Sequence, residues 1–85
     1  MIEVKEAVEA SFVYFQDLFR GQYQNLALEE VELSDDEQFW LITLGYNLPT
    51  NSIAMMAGAT GKREYKIFKI ESETGKVKSM KIRNI

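Results

Sequence analysis

Gln38-Phe39-Trp40-Leu41-Ile42-Thr43-Leu44-Gly45-Tyr46 is the stretch whose reading decides the fold of this 85-residue chain. It holds the single Trp and the densest apolar run. Mixed β-branched and aromatic residues bounded by turn signals read as a strand. At a period of two, Trp40, Ile42, Leu44 and Tyr46 share one face, and Phe39, Leu41 and Thr43 share the other. Apolar residues on both faces predict a central strand covered on both sides, at least in part. Pro49, which cannot donate to a ladder, closes it.

Immediately upstream, Asp35-Asp36-Glu37 reads as a tight acidic turn, because Asp tolerates turn backbone and bonds to its own main chain. The strand feeding that turn is residues 25–34. Leu26 and Leu28 point one way in it, Val31 and Leu33 the other, so the phase slips at Glu29-Glu30. A β-bulge there returns all four to one side. Further back, residues 3–20 read as an amphipathic helix. Val4, Val8, Ser11, Phe12, Phe15, Leu18 and Phe19 recur at three- and four-residue steps, and Gly21 is the natural stop.

Downstream, residues 48–62 contain three breakers and no clean period, the mark of a long connection. Residues 63–72 read as a third strand in which Tyr65 and Ile67 alternate, then Phe68 and Ile70. That pattern implies a second phase slip or burial on both faces. Glu73-Thr74-Gly75-Lys76 is a hairpin turn with Gly75 in the left-handed position. Residues 77–84 form the fourth strand, with Met80 and Ile82 facing in and Lys81 and Arg83 facing out. The economical assembly is a single α+β domain over residues 1–85, one N-terminal helix packed on a four-stranded antiparallel sheet.

Composition narrows the chemistry. With 46% hydrophobic residues the chain is built to fold, and with no Cys and no His it has no disulfide, no thiolate and no imidazole base or ligand. No segment reaches the ~18 apolar residues of a membrane span. Met1-Ile2-Glu3-Val4-Lys5-Glu6 lacks the basic start and apolar core of a signal peptide, which points to a cytoplasmic protein. The net charge of −3 divides unevenly. Residues 1–40 carry ten acids against Lys5 and Arg20, and residues 41–85 carry eight bases against Glu64, Glu71 and Glu73. Charge asymmetry of this kind signals a polyanion partner, or two halves that neutralise each other in the fold. The acidic total favours the second reading.

The helix, then Leu28-Glu29-Glu30-Val31-Glu32-Leu33, then Phe39-Trp40-Leu41-Ile42-Thr43-Leu44, then Tyr65-Lys66-Ile67-Phe68-Lys69-Ile70-Glu71-Ser72-Glu73-Thr74-Gly75-Lys76-Val77 resembles a PepSY domain. That family has an Ala-rich helix, two short strands and a closing hairpin of the pattern y-x-v-x-v-D-x-x-t-G-x-v; Glu71 stands near its usual Asp. The resemblance implies a two-layer fold and a role in inhibiting or binding peptidases. The outline is also similar to cystatins, without their Gln-x-Val-x-Gly inhibitory hairpin.

No catalytic constellation emerges. A nucleophile needs a neighbouring base, and none of Ser11, Ser34, Ser52, Ser72 and Ser79 lies in a motif that supplies one. Asp35-Asp36-Glu37 has too few alternating oxygens for a Ca²⁺ loop. Gly58-Ala59-Thr60-Gly61-Lys62-Arg63 has the wrong spacing for a phosphate loop. The expectation is a non-catalytic chain with no metal and no cofactor.

Two surfaces remain. Phe39, Leu41, Ile67 and Tyr65 are apolar surplus that a single helix cannot cover. Either they bind a protein partner or a second copy as a homodimer, or the 48–62 connection with Met55 and Met56 folds over them. The second surface is basic, namely Lys66, Lys69, Lys78, Lys81 and Arg83 on the last hairpin. It reads as a solvated face paired with the acidic hairpin in preference to a nucleic-acid platform.

Overall fold

Residues 1–48 and 63–84 are described by the computed structural model. They form a helix α1 (Val4–Phe19) followed by strands β1 (Gln24–Leu33), β2 (Phe39–Asn47), β3 (Arg63–Glu71) and β4 (Val77–Ile82). The sheet is antiparallel in the order β1-β2-β3-β4. The Trp40 strand is therefore internal, paired with β1 on one side and β3 on the other, as its two apolar faces require.

Small residues at the centre of the helix interface let α1 lie close to β2. Ala7 and Ser11 are fully buried, and Phe15 plugs the end of the same stripe. The Ser11 hydroxyl is satisfied locally, donating to the Val8 carbonyl at 2.6 Å. Beneath them sit Ile42, Leu44, Tyr46, Phe68 and Ile70, all buried. Phe15 stacks on Phe19 with centroids 4.1 Å apart and touches Tyr23 and Tyr46, so the C-terminal end of the helix rests on an aromatic cluster. The buried stripe is rotated from the expected one. Leu18 is 55% exposed and Val4 37%, whereas Ala7, absent from the apolar count, lies at its centre. The helix ends through two successive left-handed residues, Arg20 (φ 46°) and Gly21 (φ 82°). The Arg20 amide donates to the Gln16 carbonyl at 2.9 Å.

The expected bulge in β1 is present. Register with β2 shifts between Leu28 and Glu30, and a second shift lies between Gln24 and Ala27 at Asn25, whose φ is 54°. The first shift puts Leu28 and Val31 on the same side, opposite Leu44 and Ile42. In β3 the alternative without a slip holds. Its register with β2 is continuous from Arg63 to Glu71, so Phe68 and Ile70 face the helix and Tyr65 and Ile67 face away. On β4 Met80 pairs with Phe68 and Ile82 with Lys66, while Lys81 pairs with Ile67 on the opposite side.

One end of the sheet is tied to the N-terminus. The Ser72 hydroxyl, 1% exposed, donates to the Glu37 carbonyl at 2.8 Å. Its amide donates to Gln38, and its carbonyl accepts from the Ile2 amide at 2.6 Å. The Trp40 indole N–H donates to the Ile2 carbonyl at 3.3 Å.

Candidate interaction surface

Directly opposed residues of an antiparallel pair share a face, so the ladder assigns the side turned away from α1. Phe39, Leu41, Thr43 and Gly45 of β2 lie there, opposite Glu71, Lys69, Ile67 and Tyr65 of β3. Glu30 and Glu32 of β1 flank them on one margin, Ser79 and Lys81 of β4 on the other. Four of the expected surface residues, Phe39, Leu41, Ile67 and Tyr65, thus do share one face. Met55 and Met56 lie outside the described residues.

At the end nearest the first hairpin, Phe39, Leu41 and Ile67 line a shallow concavity of about 310 Å³, with Lys69, Lys81 and Asp36 on its rim. The Lys69 ammonium stands 4.3 Å from the Phe39 ring centroid. A cation over an aromatic face is attracted by the ring quadrupole, and here it lays the lysine stem along the apolar floor. The first hairpin loop shapes the rim. The Asp36 carboxylate accepts from the Ser34 hydroxyl at 2.7 Å and the Gln38 amide at 3.1 Å. Those two bonds, the Ser34 one foremost, hold its pKa below the ordinary 3.8. Ser34 Oγ in turn accepts from the Phe39 amide at 3.1 Å, so the loop aims the first residue of β2.

The rest of the face is roofed by two arginines. Arg83 reaches back over the sheet to give 2.7 Å hydrogen bonds to Glu30 Oε1 and Thr43 Oγ1. Arg63 donates to Glu29 Oε1 at 2.7 Å, to the Asn25 carbonyl at 2.9 Å and to Asn47 Oδ1 at 3.1 Å. Both side chains cross β2 from the basic half of the chain to the acidic half, which is how part of the charge division is neutralised. Tyr65 is the neighbour of Arg83 across the strand, its carbonyl accepting from the Arg83 amide at 2.9 Å, and it does not line the Phe39–Leu41–Ile67 concavity.

The basic residues of the last hairpin do not make one surface. Lys69, Lys81 and Arg83 lie on the outer face. Lys66 is opposite Leu44 and Ile82, on the helix side. Lys78 is the extra residue of an irregularity between Val77 and Ser79. Arg83 is already bound to Glu30.

Two other concavities differ in character. One, about 400 Å³, lies between the hairpin tips and is lined by Met1, Asp36, Glu37, Glu71, Ser72 and Glu73 among others. The second, about 420 Å³, is an apolar groove between the first turns of α1 and β1, floored by Val4, Val8, Leu28 and Val31. Among the described residues no group of three or more acidic side chains is placed to hold a metal ion. No helix there is long and apolar enough to cross a membrane.

What the residue pattern did not reveal is the arginine roof. Gly45 was its one available signal, since a glycine inside a strand marks close approach by another group. A Cβ at Gly45 would lie 2.9 Å from Glu29 Cγ and 3.0 Å from Arg63 Nη2. None of the protein-family models, curated proteins or solved structures compared with this chain matches it.

Proposed function

We propose that this chain is a small non-catalytic interaction module that engages a protein partner, another chain or its own copy, through the outer face of its sheet. The observation that carries the reading is the Phe39–Leu41–Ile67 concavity, apolar in its floor and flanked by Lys69 and Lys81. A small apolar floor with a polar rim is the general anatomy of a protein-binding patch. The PepSY-like order of helix and hairpins belongs to the same proposal, and with it regulation of a partner such as a peptidase.

The disposition of the hydroxyls supports a non-catalytic role. The buried Ser11 and Ser72 hydroxyls donate to the Val8 and Glu37 carbonyls, and the Ser34 hydroxyl is spent on ordering its own loop. Nucleic-acid binding by the last hairpin has less support. Lys66 is on the other face from Lys81, and the Arg83 guanidinium is held by a glutamate.

The test is Leu41→Asp. Leu41 is half-buried on the outer face, so the charge is placed on the patch and not in the core. The expected result is an unchanged circular dichroism spectrum with loss of association, read both by sedimentation up to several hundred micromolar and by capture from host extract. Association that ignores this substitution, or no association in either assay, overturns the reading. Retardation of single-stranded nucleic acid at low salt, lost on replacing Lys78 and Lys81, would install the alternative.

A further inference from the structure

Charges on the outer face stand in columns. Glu30 and Glu32 project from β1 at one margin, and Lys81 projects from β4 at the other. Between them β2 and β3 hold Leu41 and Ile67. Glu30 is taken by Arg83, but among the described residues Glu32 and Lys81 have no ion-pair partner. The unpaired margin charges are thus Glu32 on the β1 side and Lys81 on the β4 side, with Leu41, Ile67 and Lys69, its ammonium over the Phe39 ring, between them.

On the basis that this face is a docking surface, we propose that its occupant is a second copy of the chain, stacked sheet on sheet about a twofold axis parallel to the strands. Aligned sheets pack within about 30° of each other. A twofold axis producing that arrangement lies between the sheets, close to parallel or close to perpendicular to the strands. The perpendicular axis sets β1 over β1 and β4 over β4, acid on acid and base on base. The parallel axis reverses the order of the columns, so β1 faces the partner's β4 and β2 faces its β3. Glu32 then lies near the other copy's Lys81 and Leu41 near its Ile67, each one same-face step along the strand. The contact is isologous, so each attraction occurs twice.

Size sets the strength. Four strands ~4.8 Å apart and nine residues at ~3.3 Å give a face of roughly 570 Å² per copy. Doubled, that only just clears the ~1,000 Å² expected of a specific interface, so the dimer is reversible and in the micromolar range.

The experiment is sedimentation equilibrium of the full chain, its Glu32→Lys variant, its Lys81→Glu variant and an equimolar mixture of the two. Each variant alone replaces both attractions by like-charge contacts, and association weakens at least about tenfold. In the mixture both contacts are attractive again, and association returns to within about threefold of the parent chain. A parent chain that stays monomeric at several hundred micromolar overturns the proposal. So does a dimer indifferent to both variants, or a mixture that fails to recover. If self-association fails while Leu41-dependent capture of a different protein persists, the second copy is rejected and the docking face stands. If both fail, both readings fall.

Discussion

At Gly45 a missing side chain makes room for an ion pair. Glu29 and Arg63 meet at 2.7 Å across β2, and the space they cross is the space a Cβ would fill. Gly45→Ala must push the Glu29 stem aside, which loosens the pair and its companion bonds to Asn25 and Asn47. The pair is about a third exposed, 29% and 33% for the two side chains. Surface screening therefore limits the loss to about 1 kcal/mol, with some added strain. Urea unfolding should show a lower midpoint with an unchanged slope. An equal or higher midpoint would mean that the pair contributes nothing and that the glycine has another cause.

The elements owe their places to side-chain size. Small residues at the middle of α1 and a large one near its end set how the helix lies on β2. Phe15 is wholly buried, and Leu18, on the same expected stripe, is 55% exposed. Phe15→Ala should therefore cost about 3–5 kcal/mol, a large part of the roughly 4–13 kcal/mol available to a domain of this size. Leu18→Ala should stay within about 0.5 kcal/mol. Thermal unfolding of the two variants side by side reads the rotation of the stripe directly; comparable losses would place Leu18 in the core and contradict the packing. The bulge at Glu29 acts by a similar logic. One extra residue re-phases β1, turning Leu28 and Val31 toward the helix and freeing Glu29 and Glu30 to meet the arginines.

In the whole molecule, Ser72 joins segments far apart in sequence. Its hydroxyl holds the Glu37 carbonyl of the first hairpin, and its carbonyl holds the Ile2 amide. Ser72→Ala removes a side-chain hydrogen bond to the carbonyl of the exposed residue Glu37, a loss of about 0.5–1.5 kcal/mol. The effect should not remain local. Amide exchange should quicken at Ile2 and in the 34–38 loop together, because both are anchored on the same residue. Protection lost at one and retained at the other would show that the clasp is not a unit.

Element type, element order along the chain and the β1 bulge were legible in the sequence, because period and turn chemistry are local properties. The 3.6-residue repeat of α1, the acidic turn at 35–37, Gly75 at φ 78° and the phase slip at Glu29 each report on a few neighbouring residues. So were the pairs Phe39 with Leu41 and Tyr65 with Ile67, since alternation puts each pair on one face of its strand; that the two pairs share a face followed from the register of β3 with β2. The tertiary structure alone decided the rest. Whether β3 slipped or was buried twice depended on its register with β2. Which lysines share a face depended on the irregularity at Lys78. That Arg63 and Arg83 cross the sheet to Glu29 and Glu30 depended on side chains 34 and 53 residues apart meeting. Such contacts leave no periodic trace in the chain, because the geometry that creates them exists only once the strands are side by side.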